Sequence, residues 1–85
     1  MYRIMTENKD LPKIERLLSD LGLDFTAYQC KGCWHGTLEE SLVLDFVTDS
    51  FDAIMKAAEE IRTMNEQEAV YVQKIPEETW VVEKK

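Results

Sequence analysis

Cys30-Lys31-Gly32-Cys33-Trp34-His35 holds the side chains of this chain best suited to chemistry. Two thiols at C-x-x-C spacing can share a divalent metal, and His35, the only histidine, could add a nitrogen. A closed structural zinc site takes four ligands. Cys30, Cys33 and His35 therefore need a fourth, from Glu39 or Glu40 or from a second copy of the chain. Haem attachment places a histidine directly after the second cysteine, and Trp34 stands there instead. Thioredoxin-type chemistry sets C-x-x-C at a helix N-terminus, where a thiol pKa falls, whereas here a turn and a strand follow. The plainer reading is two small, buried or half-buried thiols, because residues three apart on a strand point to opposite faces. A Cys33–His35 nucleophile–base pair would lack the third group that orients the base. The expectation is no enzyme and no resident cofactor, with a divalent metal as the one exception.

Carboxylates form the second candidate set. Paired acids do acid/base work when burial splits their pKa values, but neighbours such as Glu39-Glu40, Glu59-Glu60 and Glu77-Glu78 diverge into solvent, and Glu59-Glu60 reads as a solvated helix face. Asp45 differs, since it interrupts an apolar run. A buried lone carboxylate is costly unless paired, so Asp45 is expected to face water on the open side of a sheet, with a ligand or interface role as the alternative. Met1, Met5, Met55 and Met64 are too scattered for a copper set and read as packing. Trp34 and Trp80 are candidate interface anchors; Trp80 alternatively covers the core.

The elements that must position these groups are legible in the hydrophobic pattern. Tyr2–Thr6 fits a first strand. Asn8-Lys9-Asp10 offers an N-cap, Pro12 fits the first helical turn, and Leu11, Ile14, Leu17, Leu18 and Leu21 make one stripe. Gly22 supplies the left-handed residue that ends that helix, Asp10–Leu21. Asp24–Gln29 reads as strand two, followed by a tight crest between Gly32 and Gly36. Glu40–Thr48 is strand three, apolar enough for a central place buried on both faces. Asp49-Ser50 caps a second helix with Phe51, Ile54, Ala58 and Ile61 inward, and Asn65 is the expected stop. Glu68–Lys74 is strand four, Pro76 breaks the ladder, and Thr79–Glu83 is a short extra strand. The order predicts one α+β domain over residues 1–85, a ferredoxin-like βαββαβ sandwich with a four-stranded antiparallel sheet and two helices on one face.

Composition narrows the partners. The chain has 85 residues, 45% hydrophobic, which permits one small core. Residues 1–38 balance their charges, so the whole formal −7 falls in residues 39–85. An acidic half speaks against nucleic acid and anionic membranes, and for a cation or a basic partner protein. No apolar run reaches membrane-span length, and the N-terminus lacks a signal-peptide core. A cytoplasmic location with reduced thiols is expected.

Trp34-His35-Gly36, the acids Glu39 and Glu40, the run Ser41-Leu42-Val43-Leu44-Asp45-Phe46-Val47-Thr48, and Glu68-Ala69-Val70-Tyr71-Val72 beyond the second helix resemble the trimeric ferredoxin-like superfamily of PII signalling proteins and divalent-cation-tolerance (CutA) proteins. Gly32 to Leu42 also follows a glycine-x-tryptophan-x-glycine-x-x-glutamate-x-serine-leucine pattern, similar to a group of small uncharacterised bacterial and phage-borne proteins. The glycine-rich nucleotide loop of PII proteins has no counterpart, and the segment between strands two and three is too short for their signalling loop, so ATP binding is not implied. The resemblance implies a homotrimer with strand edges pairing between subunits. It also implies inter-subunit clefts shaped by Trp34, Gly36, Glu39 and Glu68, and a regulator or sensor holding a small ligand or ion there. Two alternatives stand beside it: a protein-interaction module, phage- or mobile-element-borne, for a basic partner, and a metal-handling protein using Cys30, Cys33 and His35.

Overall fold

Tyr2, Ile4 and Thr6 alternate with Arg3, Met5 and Glu7, and this period of two buries the first row and half-exposes the second. The same alternation in Leu42, Leu44 and Phe46 lets the two strands stack buried rows in register, Tyr2 opposite Phe46, Ile4 opposite Leu44 and Thr6 opposite Leu42. The structure, a computed structural model, describes residues 1–76 with Trp80, Val82 and Lys84, and Trp34 by its backbone. Its elements are β1 (Tyr2–Glu7), α1 (Leu11–Asp20), β2 (Phe25–Trp34), β3 (Thr37–Phe46), α2 (Phe51–Met64) and β4 (Tyr71–Lys74). The sheet is antiparallel with order β2-β3-β1-β4. This is an α+β fold consistent with a ferredoxin-like arrangement. No helix among the described residues is long and apolar enough to cross a membrane. The short strand expected over Thr79–Glu83 falls outside the described residues, apart from Trp80 and Val82. Trp80 does not cover the core: it is 79% exposed.

The β2–β3 hairpin is longer than its sequence pattern indicates. Strand two runs on past Gln29 to Trp34, and strand three begins at Thr37 rather than Glu40. Trp34 pairs with Thr37, which leaves only His35 and Gly36 in the turn, at φ 51° and 80°. A two-residue turn with both central residues at positive φ matches the right-handed twist of its strands, so the ladder zips to the tip. Since β1 reaches only the Ser41–Phe46 part of β3, the segment Lys31–Glu40 projects beyond the rest of the sheet.

Both helices are punctuated by local chemistry. The Asp10 carboxylate accepts the Lys13 N–H at 3.2 Å, and Ser50 Oγ accepts the Ala53 N–H at 3.3 Å, each satisfying an N-terminal donor. At the end of α1, Gly22 takes φ 73° and the Leu23 N–H reaches the Leu18 carbonyl at 3.1 Å, the six-to-one bond of a Schellman stop. At the end of α2 the expected stop residue, Asn65, keeps a right-handed φ of −84°. Glu66 takes the left-handed position at φ 55°, and the Gln67 N–H bonds the Arg62 carbonyl at 3.0 Å. Asn65 stays right-handed because its amide is used in a buried network described below. A Cβ at positive φ is disfavoured, so Glu66→Gly should stabilise the fold by roughly 0.5–1 kcal/mol. Urea denaturation would read this as a raised midpoint, and a lowered midpoint would refute the strain.

One core holds the fold together: Ile4, Ile14, Leu18, Leu42, Leu44, Phe46, Ile54, Ala57 and Ile61 are completely buried. Two expectations change here. Phe51 is not in the buried stripe of α2 but half exposed, leaning on the Tyr2 ring at 5.9 Å; Ala57 takes the inward place, because the first helical residue sits at the rim of the core. Strand three is central but not buried on both faces, since Val43 and Asp45 are only partly covered. Asp45 does lie on the open face, and it is paired: Arg3 Nε donates to Oδ1 at 2.7 Å and Nη2 to Oδ2 at 3.1 Å. The two are cross-strand neighbours, so the fork geometry also marks the β1–β3 register. On α2, Glu59 is exposed as expected. A hydrogen bond from Arg62 holds its carboxyl below the usual range. That pairing is present at neutral pH and is lost as pH falls through the lowered pKa; at full exposure it matters little.

Candidate functional site

Thr6 continues the buried row of β1 yet is polar, and Asn65 ends α2 facing the same point; both are 5% exposed. Buried polar groups need partners, and these two meet. Asn65 Nδ2 lies 2.9 Å from Gln67 Oε1, 3.3 Å from the Glu7 carbonyl and 3.5 Å from Thr6 Oγ1. The Thr6 hydroxyl also donates to Gln67 Oε1. Gln67 Nε2 then donates to the Ala69 carbonyl at 3.2 Å, and Lys9 Nζ to the Asn65 carbonyl at 2.7 Å. The knot fastens the segment Glu66–Ala69 to the end of β1. The Asn8 N–H, bonded to the Glu40 carbonyl at 3.0 Å, fastens the same end to the root of the projecting hairpin.

Between these fixed pieces lies an open cleft of about 230 Å³, lined by Met5, Thr6, Glu7, His35, Glu39, Gln67, Glu68, Ala69 and Tyr71. Met5 and Tyr71 are cross-strand partners and give it an apolar floor. Glu7, Glu39 and Glu68 make its rim anionic. Lys9 Nζ stands 3.4 Å from Glu7 and offsets part of that charge. The volume is below the roughly 300–1,000 Å³ of typical small-molecule pockets, so one copy offers room for a small ligand or a single side chain. An anionic rim repels phosphates and carboxylates and favours cationic or neutral polar groups.

The structure distributes the sequence candidates as follows. Glu39 and Glu68, from β3 and from the loop before β4, line the same cleft, and His35 joins them from the hairpin turn. Gly36 is the second turn residue, and Trp34 pairs through its backbone with Thr37; the Trp34 side chain is outside the description. Cys30 is half-buried with its thiol 3.7 Å from the Ser41 carbonyl, and Cys33 is exposed. Both are free, and their separation by three along one strand directs them to opposite faces. No three of His, Cys, Asp and Glu converge on a metal-holding point among the described residues. Glu7, Gln67, Met5 and Tyr71 were not legible as site residues. The usable signal was Thr6, a polar residue in a row whose periodicity assigns it to the core.

Neither a protein-family model nor a curated protein matches this chain.

Proposed function

We propose that the chain is a non-enzymatic, ferredoxin-like βαββαβ regulator or sensor of the PII and CutA-like kind. It acts in the cytoplasm as a homotrimer, and it holds a small ligand at clefts between subunits. One observation carries the reading: Glu39 and Glu68, from distant parts of the chain, line one cleft together with His35. Its small size and open mouth fit a site that a neighbouring subunit completes. The anionic rim disfavours nucleotides and other phosphate ligands, in keeping with the missing glycine-rich loop.

Native mass spectrometry of protein purified without chelator, then with it, tests the assembly and the ligand. The expected species weighs three times the 9.9 kDa chain and carries extra mass; chelator distinguishes an ion from an organic ligand. Glu39→Gln and Glu68→Gln should each remove the bound mass while leaving the trimer intact. A bare monomer sinks the reading and moves the assignment to an interaction module awaiting a basic partner.

A further inference from the structure

The cleft exists because β1 stops early. In the sheet β1 lies between β3 and β4, so past Glu7 its two neighbours face each other across two strand spacings, about 9.6 Å. β1 pairs no further along β3 than Ser41, while β3 extends outward from there to Thr37. On the far side residues 67–69 lead toward β4, held by the hydrogen bonds of Gln67. Glu39 therefore enters the cleft from one wall and Glu68 from the other, with Met5 and Tyr71 at the floor.

The three carboxylates of the rim differ in their partners. Glu7 has Lys9 at 3.4 Å. Glu39, though half-buried, and Glu68 take part in no ion pair among the described residues. A single metal ion does not suit them, since among the described residues no three of His, Cys, Asp and Glu converge on one point. A single ammonium answers one wall and leaves the other charge unmatched. Two ammonium groups joined by a short methylene chain answer both walls. The chain between them then lies over Met5 and Tyr71, where each CH2 taken out of water is favourable.

We infer that the cleft binds a linear aliphatic diamine, with one ammonium at Glu39, the other at Glu68 and the methylenes on Met5 and Tyr71. This rests on the cleft of the proposed function and names the class of its ligand.

Titration calorimetry and backbone amide NMR shifts of the full chain test it, with 1,4-diaminobutane, butylamine and magnesium as probes. The diamine should bind and shift the amides of Glu39, Glu68, Ala69 and Tyr71. Butylamine has the same carbon chain but one ammonium, as a lysine side chain of a partner protein does. It should bind about three- to tenfold more weakly, the range of one partly exposed charged pair. Glu39→Gln and Glu68→Gln should each weaken diamine binding by the same factor and leave butylamine and the diamine nearly equal. Glu15→Gln removes the same charge from an exposed place on α1 and should change nothing. Equal binding of the diamine and butylamine by the wild type overturns the inference in favour of a partner's lysine. Tighter binding of magnesium than of the diamine overturns it in favour of an ion; in both cases the cleft stands as a binding site. An equal loss in Glu15→Gln overturns it as well, by showing only diffuse charge attraction. Absence of shifts at the cleft with every probe also overturns it, and the proposed function falls with it only if native mass spectrometry shows a bare monomer.

Discussion

Phe46→Ala should lower the stability of the domain by about 3–5 kcal/mol. Phe46 is completely buried at the end of β3, opposite Tyr2 on β1 and Phe25 on β2, with its ring 6.4 Å from that of Phe25. Its removal opens a cavity where three strands meet, and close-packed surroundings collapse only partly into such a space. A small domain has a total stability of about 5–15 kcal/mol, so this change consumes much of it. At roughly 4–8 °C per kcal/mol the midpoint of thermal unfolding should fall by about 12–40 °C. Val43→Ala is the matched control: the same strand, but the open face. Guanidinium denaturation at a fixed protein concentration reads both. A Phe46→Ala cost no larger than that of Val43→Ala would show that the core is not where the structure puts it.

Asn65→Leu should be the second most damaging change, at roughly 2–4 kcal/mol. The cost is not a lost contact but the stranding of buried acceptors. Without the Asn65 amide, the Glu7 carbonyl loses a donor, and Gln67 Oε1 keeps only Thr6. The same change loosens the wall of the cleft, because Gln67 and Ala69 are held through this network. Amide exchange over residues 66–69 should accelerate more than exchange over the hairpin tip. A variant as stable as the wild type, with unchanged exchange, would mean that solvent satisfies these groups and the knot positions nothing.

Much of the architecture was legible because it is written in short-range chemistry. Asp10, Pro12 and Gly22 bound α1, and Ser50 starts α2, since capping depends on neighbours three or four residues away. The central place of β3 followed from its apolar run. The misreadings share a cause. Strand ends at the crest were placed short, because an exposed ladder without an apolar face has no hydrophobic signature; what extends it is the turn at His35-Gly36. Asn65 does cap α2, as its type suggests, but the left-handed position falls to Glu66, because the Asn65 side chain is claimed by Thr6, Glu7 and Gln67. Those partners are close only after β1 and α2 have packed. Phe51 was counted inward from periodicity, which knows the angle around a helix and not how far the core reaches along it.

By itself, the sequence determined the order of elements, the ends of α1, the start of α2, the alternation that makes one sheet face apolar, and the concentration of negative charge in residues 39–85. Tertiary structure alone decided that Glu7, Glu39 and Glu68 surround one cleft, that Asp45 is paired with Arg3, and that Cys30, Cys33 and His35 do not converge on one point. The physical reason is range. Caps, turns and periodicity act over a few residues, whereas a cleft is made by register, and register is set only when strands 42 residues apart, as Arg3 and Asp45 are, come into line.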